Sequence, residues 1–481
     1  MRGPKRDLIG HNLNAAAGFL ATLAEFEAEW TSLTPENVVL RRMDSMMSRI
    51  KLLLPTLLLY GLIDVAFARQ AVQSQPPAEL PVAQRIAGRD FPSVFMAWNP
   101  ADNLQGEDPL TTAARHDLLF HAPGYFGLQW NNASEGLATG FTPESVRAAL
   151  ARRQALLEKN PHLVLLAEIR YRDAYRSFLP ENHRWWKRDS AGKLEMGWAE
   201  GGYIKLNFAD PEYQRQVAAQ ASAAVATGAV DGVMLDWWED DAAHLALIRQ
   251  VRAAIGGSAL ILVNANDRQI PQTAPYINGL FMECYRSKTI EDWNRIADTL
   301  RFAEAHLRRP HIDCLETWYH SSRNDLNLMR ATTCMSLTLS DGYCLFSDPN
   351  DLPTPDHLHN WYPFWAKSLG RPLKTGRRYP DGTIRREFER GTVIYNPPGN
   401  RDVTVTFAEP RRSAASGATA ATQPIAALDG DIFLKPMRLG STKWKHRRAT
   451  PISSPIRQQK VGRLRQGLPA CAVVPGVPAP A

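Results

Sequence analysis

Two carboxylates stand where a chain of this kind could do chemistry. Asp236 closes the run VDGVMLDW (230–237), and Glu283 lies near the end of INGLFMECY (277–285). Each follows a stretch of apolar residues that suits a strand buried on both faces. An acid at the end of such a strand sits at the open rim of a parallel barrel rather than in its core. Two acids on one rim supply what glycosidic bond cleavage requires: a proton donor for the leaving oxygen, and an anion that attacks the sugar carbon or activates water. Each acid alone also has a plainer use, because a carboxylate after a strand can cap the next helix, as Asp240 and Asp241 are expected to do for the helix starting at Ala242.

The ends of the other apolar runs add candidates for holding a sugar. They are Trp98, Asn99, Trp130, Glu168, Arg170, Trp237, Trp238, Glu239, Asn264, Asn266, Tyr285, Glu316, Trp318 and Asp348. An aromatic face stacks on the C–H face of a pyranose, while amides, acids and arginines meet its hydroxyls. Glu168 has a competing use in ion pairs with Arg170 and Arg172, and Trp293, Trp361 and Trp365 are expected in the core. The segment 173–209 is longer than ordinary connections between strand and helix and is expected to wall a cleft. Neither His306 with His311 nor His357 with His359 forms an H-E-x-x-H set, and the five cysteines (284, 314, 334, 344 and 471) make no C-x-x-C pair. The two-acid reading calls for no metal and no organic cofactor.

Positioning these residues needs a scaffold, and the pattern of the chain supplies one. Eight apolar runs, at 93–99, 125–130, 162–169, 230–237, 259–266, 277–285, 311–318 and 341–348, alternate with segments of helical period at 143–159, 211–227, 242–255, 290–307 and 325–339. Thr142-Pro143-Glu144 and Asp210-Pro211-Glu212 carry helix-start signals. The expected fold is α/β: a (β/α)8 TIM barrel over 90–372, followed by a small C-terminal antiparallel β module over 373–436 rich in Thr, Val and Ile. The competing doubly wound sheet lacks a glycine-rich phosphate loop after any strand.

The motifs DGVMLDWWED, SDGYCLFSDPND and GTVIYNPP, with the Glu283 strand end, make residues 90–436 resemble the hypothetical glycoside hydrolase barrels called glycosyl hydrolase-like 15. More distantly, the chain is similar to endo-polygalactosaminidase and alpha-galactosidase barrels. The resemblance implies a carboxylate after the fourth strand as nucleophile or base, at Asp236, and an acid after the sixth, at Glu283. It implies no particular sugar. The alternative is a carbohydrate-binding barrel of the cell envelope that does not cleave.

Outside the barrel, residues 46–70 read as a signal peptide: Arg49 and Lys51 precede an apolar run that ends in Ala66-Phe67-Ala68. This suggests a start at Met46 or Met47, with 1–45 an extension of doubtful status, and export to the periplasm or exterior. An uncleaved segment would instead anchor the protein. Residues 71–89 suit a linker. The net charge of +7 invites a nucleic-acid reading, but residues 436–481 hold nine Lys or Arg and no acid, and removing those nine leaves −2 on residues 1–435. The basic segment 437–481, with one aromatic residue, Trp444, suits a solvated tail better than a nucleic-acid arm. The expected partner is a carbohydrate.

Overall fold

The computed structural model describes residues 79–347 and 357–436. The expected signal peptide, the 1–45 extension, residues 71–78 of the expected linker, the basic tail and Asp348 lie outside the described residues; the rest of that linker holds a helix, Val82–Gly88, whose Ile86 joins the core.

Strands and helices are numbered along the chain. Eight parallel strands follow one another around a ring: β1 (Phe95–Ala97), β2 (Leu118–His121), β3 (Val164–Glu168), β6 (Gly232–Leu235), β7 (Leu260–Asn264), β8 (Gly279–Cys284), β9 (Cys314–Trp318) and β10 (Tyr343–Ser347). A parallel bridge between Val94 and Cys344 joins the last strand to the first. The chain is thus a TIM barrel. Helix α1 (Val82–Gly88) precedes it, and α2 (Pro109–Ala114), α3 (Pro143–Lys159), α4 (Pro211–Ala226), α5 (Ala242–Ile255), α6 (Ile290–His306) and α7 (Leu326–Leu339) surround it.

Local chemistry explains these boundaries. Thr142 accepts from the Ser145 backbone N–H and Asp210 from that of Glu212, each ahead of a proline in the first turn. Thr289 and Asp292 form a reciprocal capping box for α6. Inside the ring, Phe95, Phe120 and Phe281 meet with centroids 5.1–6.1 Å apart and plug the interior. Each fully buried ring of this kind is worth about 1.5–3 kcal/mol. Gly232 starts β6 where a side chain would collide with the Leu260 backbone, so only glycine allows this close strand approach.

Two expectations are corrected. The second strand is Leu118–His121, not 125–130, where a short 3-10 turn (Pro123–Phe126) runs into Gly127 at φ +93°. A left-handed residue of this kind breaks the extended backbone that the apolar run suggested. Also, the regular strand–helix alternation that a (β/α)8 barrel implies lapses after β7, which is followed by a 3-10 turn (Ala274–Tyr276) because Pro271 and Pro275 stand in that connection. Asp241 caps α5 as expected, whereas Asp240 accepts from the backbone N–H groups of Gln272 and Thr273 and ties the two rim loops together.

Strands β4 (Asp173–Ala174) and β5 (Ile204–Lys205) pair antiparallel at the base of a long excursion between β3 and α4. The C-terminal module is a six-stranded antiparallel sheet built from β11 (Arg377–Arg378), β12 (Ile384–Phe388), β13 (Gly391–Asn396), β14 (Val403–Ser413), β15 (Thr419–Ile425) and β16 (Asp429–Leu434). It packs on α7: Arg330 grips Asp429 through two bonds of 2.7–2.8 Å, and Gly430 lies against Cys334. One apolar core runs from Ile86 through the barrel to Ile432. Cys284, Cys314, Cys334 and Cys344 are buried free thiols.

Candidate active site

Three neighbouring strands deliver the central group. Asp236 follows β6, Asn264 ends β7 and Glu283 lies on β8, so all three reach the same rim. The Asn264 Nδ2 donates to Asp236 Oδ1 and to Glu283 Oε2, both at 2.9 Å. Two such bonds to one amide nitrogen keep those oxygens no more than twice 2.9 Å, about 5.8 Å, apart. Both acids are half-buried at the bottom of a cleft, short of water yet still reachable.

Their surroundings separate their proton affinities. Burial, then the nearby Glu168 charge, raises Asp236 to about 6, against the opposing pull of Arg170 and the Asn264 bond. Burial raises Glu283 further, to about 8, with Glu316 and Asp236 adding to it and His357 and Asn264 opposing. Near neutral pH one acid is charged and the other holds its proton, which is the division of labour that acid–base chemistry needs.

The walls come from more distant parts of the chain. Trp98 donates through Nε1 to Glu168 Oε2 at 2.8 Å, and Arg170 Nε lies 3.0 Å from Glu168 Oε1, so the buried Glu168 holds two wall residues in place. From the excursion come Trp198 and Tyr203. Asp173, itself buried, accepts from the Trp198 backbone N–H at 3.0 Å and from Arg172 at 2.8 Å. The guanidinium groups of Arg170 and Arg172 lie over the rings of Tyr203 and Trp237 at 4.6 and 4.4 Å. An inner cavity of about 190 Å³ lies between Trp98, Arg170, Asp173, Trp198, Tyr203, Asp236, Trp237, Glu283 and His357. Past Trp198, Trp237 and Glu283 it continues into an outer cavity of about 620 Å³, lined also by Arg172, Glu239, Asn266, Arg268, Tyr285, Arg286 and Trp318.

Five non-glycine residues among those described have positive φ, and four of them are at this rim: Trp98 (+50°), Trp237 (+55°), Asn266 (+53°) and His357 (+58°). Such backbone costs of order 1–3 kcal/mol per residue and persists where the surroundings dictate it, which is commonly at functional sites.

The cleft thus brings together Trp98, Glu168, Arg170, Asp236, Trp237, Glu239, Asn264, Asn266, Glu283, Tyr285 and Trp318. Other expected residues lie elsewhere. Trp238 is fully buried and donates to Thr273 Oγ1, because its neighbour Trp237 takes the outward direction. Glu316 is also fully buried and pairs with His357 Nδ1 at 2.9 and 3.1 Å, with Ser347 donating to it as well. Trp130 stacks on Phe141 at 4.0 Å beside other cavities, since the segment 125–130 is not a barrel strand. Asn99 lines neither central cavity.

Residues that strand ends did not reveal include His357, stacked on Trp98 at 5.0 Å, and Asp173, Trp198 and Tyr203. The length of segment 173–209 was the one sequence signal for the last three. Arg172, Arg268 and Arg286 complete the outer cavity.

No family model and no curated protein matches this chain. Among solved structures it is similar to a noncanonic maltogenic alpha-amylase, AmyB, from Thermotoga neapolitana, with 10% identity over 71% of this chain and 98% of that one and a TM-score of 0.44. An alpha-amylase from Geobacillus thermoleovorans, complexed with acarbose, gives 12% identity over 71% and 97% with a TM-score of 0.42. A cyclomaltodextrinase gives 14% over 72% and 75% with a TM-score of 0.43. Overlaps this loose transfer neither residues nor activity.

Proposed function

We propose that this protein is a glycoside hydrolase acting on a poly- or oligosaccharide with retention of anomeric configuration. One observation carries the reading: a single amide bridges two acids of unlike proton affinity, each 2.9 Å from its nitrogen, so that their facing oxygens are at most about 5.8 Å apart, which suits the ~5–5.5 Å of retaining sites better than the ~6.5–9.5 Å that inversion needs for a water. Asp236, ionised, attacks the anomeric carbon while Glu283 gives its proton to the departing oxygen. A water then replaces the leaving group, Glu283 takes a proton from it, and the water oxygen displaces Asp236 from the sugar. Trp98, Trp198 and Trp237 offer ring faces, and Arg170 and Asp173 meet hydroxyls. The inner cavity of about 190 Å³ has the scale of one sugar ring.

Incubation with a panel of polysaccharides, followed by proton NMR of the first product, tests this. Expected is release of a sugar with the anomeric configuration of the bond cleaved, lost in Asp236→Asn and in Glu283→Gln. Tight glycan binding with no product over long incubation would support the non-catalytic alternative, and an inverted product would reject the nucleophilic role of Asp236.

A further inference from the structure

At the opposite end of the barrel, away from the two acids, we infer a second site: Glu304, His311 and Asp313 bind a divalent transition-metal ion of the zinc type. Glu304 lies in the last turn of α6, and the other two precede β9. One ligating atom from each comes within 4.8 Å of those of the other two. The spacing, Glu304 then His311 and Asp313, fits no short zinc motif, because the turn between α6 and β9 brings the groups together.

The hydrogen bonds are those of a metal centre's outer layer. His311 Nε2 lies 3.2 Å from the Leu307 carbonyl, which can only accept, so that nitrogen carries the hydrogen. His311 Nδ1 then faces Glu304 Oε2 at 3.0 Å. A bare imidazole lone pair and a carboxylate oxygen repel each other at that distance, so a cation belongs there, either a second proton on the ring or a metal. Glu304 Oε1 accepts from the Asp341 backbone N–H at 2.6 Å, and Asp313 Oδ1 from that of Leu280 at 2.9 Å. Each side chain is therefore held by the backbone through one atom while another remains for a ligand.

Asp313 decides between the two cations. It is fully buried, and its Oδ2 has no hydrogen-bond partner. A proton on His311 satisfies Glu304 and leaves that oxygen unused. A metal ion uses all three groups: bonds of ~2.0–2.2 Å place ligand atoms about 3.0–3.5 Å apart, a spacing that His311 Nδ1 and Glu304 Oε2 already have at 3.0 Å and that Asp313, within 4.8 Å of both, reaches by closing on the ion. Two carboxylates and a neutral imidazole balance a divalent charge, and the imidazole nitrogen favours zinc over calcium or magnesium. His311 also lines a cavity of about 550 Å³, through which an ion enters and a water completes the shell.

The test uses the full chain stripped with EDTA and titrated with zinc chloride by calorimetry, with melting followed in parallel. Expected is one ion per chain and a raised Tm. His311→Gln and Asp313→Asn should each weaken uptake at least about tenfold. Two wild-type measurements, which need no variant to fold, stand beside them. Cobalt(II) should give a visible spectrum of low coordination number, and nitrogen NMR should show His311 Nδ1 without a hydrogen once zinc is added. Absence of uptake, uptake unchanged in both variants, or a protonated Nδ1 in the presence of zinc overturns the inference.

Discussion

Asn264 carries no charge, yet its amide acts on both groups that do. By donating to each carboxylate it favours their ionised forms, so Asn264→Ala should move both limbs of the pH–rate profile upward and lower kcat by roughly 10²-fold. In the wild type the proposed mechanism needs Asp236 ionised and Glu283 protonated, so kcat/KM should rise near pH 6, fall near pH 8 and peak between them. Stability gives a second check without substrate. Glu283 is raised from 4.5 to about 8, so the unfolded chain loses this proton first, and the native state loses stability as pH climbs through that interval. Glu283→Gln should therefore match wild type near pH 4 and exceed it at pH 9 by roughly 2 kcal/mol in urea melts. Asp236, Asn264 and Glu283 were legible in the sequence because apolar runs end beside them. His357 was not, since it follows β10 by ten residues and reaches the cleft only through the fold.

On the proposed function, recognition rests most on the excursion between β3 and α4. Its two ends pair with each other, Asp173↔Lys205 and Ala174↔Ile204, and Gly197 packs so closely on Asp173 that any side chain there would collide with the carboxylate. Gly197→Ala should displace Trp198, raise KM several-fold and cost about 1–3 kcal/mol of stability, with the pH profile unchanged. Trp198→Ala should raise KM with little change in kcat, as expected of a residue that binds ground state and transition state alike. Sequence length identified this segment as a wall, but its contacts depend on pairings between residues far apart in the chain. The reverse happened at the second strand. LLFH is a short apolar run close behind α2, whereas the longer YFGLQW has the stronger strand pattern in sequence and is broken by the left-handed Gly127.

At the scale of the molecule, barrel and C-terminal sheet share one core, with α7 between them. A single cooperative unfolding transition is expected by calorimetry, and chains truncated before β11 should fail to fold, because α7 would expose the face that β13 and β16 cover. Arg330→Ala leaves the largely buried Asp429 without its cation and should cost about 3 kcal/mol in urea melts. Barrel and module were legible from alternating run lengths and composition. Their packing was not, because Arg330 and Asp429 are ninety-nine residues apart and neither has a local signature. Export through residues 46–70 is a separate proposal, and mass spectrometry should find the mature amino terminus soon after Ala68. The paired ends of the excursion have a consequence for specificity. The two acids of the proposed reaction ride on the ring, while two of the aromatic rings of the cleft, Trp198 and Tyr203, ride on a detour whose ends already touch. On the proposed function, exchanging such a detour for another would change the sugar accepted while leaving both acids where they are.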